Sequence, residues 1–387
     1  MPGEDLSACR HWRKSLPIED GIIGLYPALN AVVGLNPAAA AIWDALIDTA
    51  DRERAARAYA DAVPARREQA AEDVALCIDL WQRQGLTAQP SPSNRSDTPP
   101  NGVTGRETWA LSRTVRLAGR PVGIGVEDRQ LAAAIADLTV DFPVTNATPD
   151  VRLQAVGPEG GWRICLDGAF HRPAQDMVEA RGIVVAEIIR LMSDTAWTAV
   201  LHASVLTRNG RTLLLTGRSG SGKSTLSAEL VSRGWQLVAE DCGAFDSGMK
   251  ATPMPFAFSF KSGAWSLLQP AFPGLASART HRIGLRDVRY HSLPAEARAT
   301  APVRPDVILD IRFRPDLPPQ DHATRRLSPI ETMQLFFNDE SYIDFAADTG
   351  DSFLSFATTT PAFALHYGSS GAAHAAVTDC LRHLPAE

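Results

Sequence analysis

Gly217-Arg218-Ser219-Gly220-Ser221-Gly222-Lys223-Ser224 satisfies the pattern G-x-x-x-x-G-K-[ST] at every position. An apolar run, Thr212 to Leu215, leads into it, and Ser224-Thr225-Leu226-Ser227-Ala228-Glu229-Leu230 comes next with helical spacing. The stretch therefore predicts a strand, a glycine-rich loop and a helix in succession. Glycines allow consecutive backbone N–H groups to turn inward around a polyphosphate, and the helix beyond them presents its positive end to the anion. The loop from Gly217 through Arg218, Ser219, Gly220, Ser221 and Gly222 to Lys223, Ser224 and Thr225 is the expected nucleotide-binding segment. Lys223 is expected to reach the outer phosphates, and Ser224 to offer its hydroxyl to Mg²⁺. ATP and Mg²⁺ are the expected ligands.

The bulk properties narrow the class. The chain has 387 residues, 45% hydrophobic and 21% charged, with a net charge of −6. That balance gives no reason to expect a nucleic acid partner. No apolar run reaches the roughly 18 residues of a membrane span, and the N-terminus lacks a basic-then-apolar signal pattern. Cys9, Cys77, Cys165, Cys242 and Cys380 lie far apart, as reduced thiols of a cytoplasmic protein would, with no metal or disulfide framework expected.

Residues 88–106 are dominated by proline, serine, glycine and asparagine and have little to bury, which predicts a flexible linker. It divides the chain into 1–87, a small α+β domain, and 107–387, an α/β core. In the first, Ile22-Ile23-Gly24-Leu25-Tyr26 and Ala31-Val32-Val33-Gly34-Leu35 flank Pro27-Ala28-Leu29-Asn30 and predict a hairpin. Asn36-Pro37 marks a helix start, with Asn as cap and Pro at the first helical position. Further helices are expected from Arg52 to Ala62 and from Glu68 to Gln84, the latter with Val74, Ile78 and Trp81 on one stripe. Its acidic residues Glu72, Asp73 and Asp79 argue against a winged-helix DNA-binding role. From 107 to 200 short strands and helices at Gln130–Leu138 and Met177–Leu191 predict a β-rich lead-in to the core.

The hairpin, Leu35-Asn36-Pro37-Ala38-Ala39-Ala40-Ala41-Ile42-Trp43 and Leu80-Trp81-Gln82-Arg83-Gln84-Gly85-Leu86 give 1–87 a resemblance to PqqD-like, winged-helix-like peptide-recognition domains. That resemblance implies a groove, between the edge strand and the third helix, where the leader of a ribosomally made precursor peptide adds as a further strand on residues 16–87. The alternative is a unit that serves oligomerisation or packing.

The core carries a second resemblance. His202 stands fifteen residues before Gly217, and Glu240-Asp241 stand seventeen and eighteen after Lys223, behind Arg233-Gly234 and Leu237-Val238. These spacings resemble the HPr kinase/phosphorylase family, where such an acidic pair serves phosphoryl transfer, and they imply an HPr-kinase-like fold. Asp241 with Ser224 is the expected metal pair, and Glu240 the expected general base. The family's usual pair is two aspartates, so the longer Glu240 leaves the two roles exchangeable. His202 either lies beside the phosphates or is a packed core histidine. Lys261, after Pro253-Met254-Pro255-Phe256, is a phosphate or peptide contact or a solvated cation. Arg312 or Arg314, closing the apolar run 306–314, either stabilises phosphoryl charge or forms a salt bridge.

No second glycine-rich loop is recognisable after Lys261, which implies a kinase whose substrate differs from that of the HPr enzymes. Tethering a leader-binding unit to such a core points to phosphorylation of a serine in a precursor peptide, as in lasso-peptide kinases. The alternatives are a kinase of a small molecule or carrier protein, and a nucleotide-sensing module that recruits a peptide without catalysis. The HPr enzymes are hexamers, so a homo-oligomer stays open.

Overall fold

The computed structural model describes residues 14–18, 21–26, 31–49, 51–83, 109–157, 161–337, 341–344 and 347–382. The expected turn at 27–30 and the expected linker at 88–106 lie outside them. Two compact units emerge. The first takes in 1–96, 328–339 and 344–359, and the second 97–327, 340–343 and 360–387. The units thus do not keep to the linear order of the chain.

The first unit opens with strands β1 (Lys14–Ile18), β2 (Gly21–Tyr26) and β3 (Ala31–Leu35) in an antiparallel sheet of that order. Helix α1 (Pro37–Thr49) starts where the sequence places it, because the Asn36 side-chain oxygen accepts from the Ala39 amide at 2.8 Å. Helices α2 (Arg52–Ala62) and α3 (Ala70–Arg83) come next, with a short 3-10 turn at Pro64–Gln69 where the sequence suggests the start of the third helix. Trp43, Leu46, Tyr59, Val74, Ile78 and Trp81 form the core of this part, and Trp43 meets Trp81 edge to face at 4.6 Å.

The second unit begins with the β-rich lead-in. Strands β4 (Leu111–Leu117) and β5 (Arg120–Val126), helix α4 (Arg129–Leu138), and strands β6 (Val151–Val156), β7 (Trp162–Leu166) and β8 (Ala169–Ala174) come first. They form a five-stranded sheet in chain order, and α4 makes the one crossover, between the parallel pair β5 and β6. Helix α5 (Met177–Leu191) packs on this sheet.

The central sheet and the elements around it come from the next stretch of chain. Along it lie β9 (Ala199–Leu201), β10 (Ser204–Arg208), β11 (Arg211–Thr216), α6 (Lys223–Ser232), β12 (Gln236–Ala239), β13 (Gly243–Phe245) and β14 (Phe258–Lys261). Then come α7 (Trp265–Leu268), β15 (Thr280–Ile283), β16 (Arg286–His291), β17 (Val307–Phe313) and β18 (His322–Arg326). The chain gives α8 (Pro329–Gln334) to the first unit, β19 (Tyr342–Ile343) to the second and α9 (Ala347–Thr359) to the first. It closes with β20 (Ala362–Tyr367) and α10 (Ser370–Arg382). Six strands pair in the order β12-β10-β11-β17-β20-β18. β11, β17 and β20 are mutually parallel, and β10 is antiparallel to both β11 and β12. The C-terminal ends of β12, β11, β17 and β20 therefore share one edge of the sheet, where open α/β folds bind ligands. Strand β11 is buried from Thr212 to Thr216, as a continuous apolar run requires of a strand covered on both faces.

Candidate functional site

The glycine-rich sequence 217–224 forms the turn it predicts. Gly217, Gly220 and Gly222 hold φ of 142°, 86° and 101°, a region that L side chains rarely adopt. At Gly222 a Cβ would also lie 2.5 Å from the Tyr367 hydroxyl. Gly222 is the N-cap of α6, so no capping side chain occupies the first-turn donors of the helix. The Lys223 ammonium, almost fully buried, folds back to donate to the Gly217 carbonyl at 2.6 Å. Among the described residues, the Ser221 hydroxyl, buried in the loop, has no hydrogen-bond partner. At the outer lip Arg286 Nη1 donates to Ser219 Oγ at 3.0 Å.

The acidic pair stands at the end of β12, two strands away on the same sheet edge. Glu240 is 5% exposed, and Ser224 Oγ donates to its Oε1 at 2.6 Å. Burial, and then the charge of Asp241, raise the Glu240 carboxyl to about 8 against the opposing pull of Ser224, Lys261 and Lys223. Asp241 is its opposite in exposure. Its side chain is 45% exposed, and its backbone sits at φ 64°, a strained conformation for a non-glycine residue. His202, just after β9, brings Nδ1 to 3.5 Å from Asp241 Oδ1, and its amide donates to Ser341 Oγ at 3.1 Å. Ser224 is thus joined to Glu240, whereas Asp241 faces the open site with His202 beside it.

A pocket of about 400 Å³ lies over the loop, lined by Gly220, Gly222 to Leu226, Asp241, Lys261 and a set of apolar side chains. Lys261, at the end of β14, is therefore at the site. Arg312 and Arg314 do not line the pocket. Arg314 instead forks onto the Asp316 carboxylate at 2.8 and 2.5 Å, and Arg312 is exposed. Four residues at this edge are absent from the expected set. Asp310 lies opposite Thr216 on β17, half buried, its carboxyl raised by burial despite the charges of His366, Lys223, Arg218 and Arg312. Arg286 opens β16 after the turn Gly284-Leu285, in a hairpin that is not among the expected elements. Phe313 and Tyr367 end strands that the tertiary fold alone brings to the loop.

The residues fit a magnesium nucleoside triphosphate. The open glycine turn, the orphaned Ser221 hydroxyl and the buried ammonium suit phosphate oxygens, and the hydroxyl and carboxylate oxygens of Ser224, Glu240 and Asp241 suit a hard cation. Among the described residues no cluster of three or more His, Cys, Asp or Glu forms a metal cage, and no helix is long and apolar enough to cross a membrane.

Comparison with known proteins gives two independent matches. Residues 21–86 match the family model described as Coenzyme PQQ synthesis protein D (PqqD). The chain is also similar to the HPr kinase/phosphorylase of Alkaliphilus metalliredigens (strain QYMF), 41% identical over 79 residues, 20% of this chain and 26% of that protein. The HPr kinase/phosphorylases of Geobacillus thermodenitrificans (strain NG80-2) and Bacillus subtilis (strain 168) are each 46% identical over 52 residues, 13% of this chain and 17% of theirs. The chain thus spans about a quarter or less of the length of these curated relatives. It joins a PqqD domain to a region homologous to part of HPr kinase/phosphorylase.

Proposed function

We propose that this protein is an ATP- and Mg²⁺-dependent kinase, acting in the cytoplasm, that transfers a phosphoryl group to a serine of a ribosomally made precursor peptide whose leader is held by residues 16–87. One observation carries the reading: a phosphate-binding turn with two carboxylates of unequal burial beside it, in one chain with a PqqD domain. Bound magnesium would neutralise charge on the outer phosphates. The glycine turn and Lys223 bind and orient those phosphates. Ser224 and Glu240, already hydrogen-bonded, hold the cation side of the site. Asp241 takes the proton of the acceptor hydroxyl at its exposed carboxylate, and His202 orients it. This is the exchanged assignment of the acidic pair, and it rests on their burial. Phosphoryl transfer is tested by incubating the full chain with ATP, Mg²⁺ and a candidate precursor, then measuring the peptide's mass. One added phosphate on a serine supports the reading. ATP consumption without peptide modification, or phosphate found only on a small molecule, overturns it.

A further inference from the structure

We propose that Phe313 and Tyr367 form the subsite for the nucleotide's base, with Phe313 as its stacking platform. This rests on the nucleotide-binding reading of the loop. The sheet order gives the ligand a direction. β11, which carries the loop, has the acid-bearing β12 on one side and β17 and β20 on the other. A triphosphate whose outer end lies toward Glu240 and Asp241 must extend its nucleoside toward the opposite side, where β17 and β20 end in Phe313 and Tyr367.

Those two side chains have the features such a subsite needs. Both line the pocket, and their rings lie 5.9 Å apart at 52°. Phe313 is 45% exposed although it terminates a strand buried from Val307 to Leu309, so an apolar face stands open at the pocket. It is also tied to the loop, since its amide donates to the Ser221 carbonyl at 2.9 Å. Tyr367 is buried, its hydroxyl against Gly222 and its ring beside that of Phe313. Ser370, the first residue of α10, adds a hydroxyl to the same lining. An open aromatic face fixed by backbone to a phosphate loop suits a flat, heteroaromatic ring attached to that phosphate. Base–aromatic stacking tolerates any base, because each has a π-face. The subsite therefore supplies affinity, and guanine and adenine are accepted alike at Phe313.

The experiment compares two probes on the full chain: Mg·ATP and inorganic magnesium tripolyphosphate, the second having no base. Phe313→Ala weakens Mg·ATP binding about ten- to hundredfold, the loss of one stack, and leaves tripolyphosphate binding unchanged. Phe313→Trp restores ATP binding and shows that the position folds normally when substituted. The subsite is overturned by equal binding of ATP to the wild type and Phe313→Ala, or by equal weakening of both probes. Lys223→Ala separates this outcome from failure of the underlying reading. If it still binds both probes as the wild type does, the loop is not the phosphate site at all.

Discussion

At the scale of single residues, the proposed chemistry rests on the unequal burial of Glu240 and Asp241. Asp241→Asn removes the proposed base while keeping its shape, so turnover should fall by about 10²–10⁴-fold with nucleotide affinity retained. Rapid-quench transfer assays beside a binding isotherm measure both, and normal turnover would remove Asp241 from the base role. Glu240 contributes to stability in the opposite sense from an ordinary paired carboxylate. Its folded-state value is raised from 4.5 to about 8, so its stabilising effect is complete below the unfolded value and is lost as pH rises through about 8. Glu240→Gln can still accept the Ser224 hydrogen bond but carries no charge to desolvate. Its Tm should exceed that of the wild type by several degrees near pH 8, and the gap should close toward pH 5. A gap independent of pH would mean the carboxyl is not held in its neutral form. The acid pair was legible in the sequence because its distance from Lys223 is a property of the chain. Their unequal burial was not, because burial depends on the side chains around the pair, and Ser224 reaches Glu240 only once α6 is packed beside β12. Asp310 was hidden for a similar reason. In sequence it is one polar residue in an apolar run, and only the pairing of β17 with β11 puts it opposite Thr216.

Elements read well where local chemistry fixes them. Asn36 capping α1, Ser328 with Glu331 forming a capping box on α8, and Asp176 capping α5 all mark helix starts by side chains a few residues away. The hairpin of β10 and β11 is not among the expected elements, although it turns at Asn209-Gly210, both at positive φ, a pair suited to a tight two-residue turn. The strands that escaped are those whose reason to exist lies elsewhere. β18 is exposed along most of its length, and pairing with β20 holds it. β15 and β16 make a hairpin of mixed polarity whose tip, Leu285, is 91% exposed. Periodicity cannot flag such segments, since no single face is consistently apolar. The first unit offers an element-scale test. Trp43, fully buried on α1, packs against Trp81 of α3. Trp43→Ala should cost about 3–5 kcal/mol locally. By hydrogen exchange, α1 and α3 should lose protection while β11 and β17 keep theirs. Uniform loss across both groups would mean that the two units unfold as one.

For the whole molecule, the proposed economy is to bind the peptide in one place and react it in another. A precursor stripped of its leader should then keep its maximal rate but show a Michaelis constant raised about 10²–10⁴-fold, the usual gain from tethering. Equal constants for the two peptides would leave the PqqD domain without a part in substrate capture. Removing 1–87 is a less clean test. Gly34 of β3 lies so close to Ile330 of α8 that an added Cβ would stand 3.2 Å from it, so the truncation would uncover α8 as well as delete the proposed leader site.

That shared packing also governs how the chain is made and how it can be cut. The first unit borrows 328–339 and 344–359, so it cannot be completed on the ribosome until residue 359 has been synthesised. A single proteolytic nick within 84–108 should therefore yield two fragments that migrate together on size exclusion without denaturant. Fragments that separate freely would mean that the N-terminal portion closes its own fold and only rests on the borrowed helices.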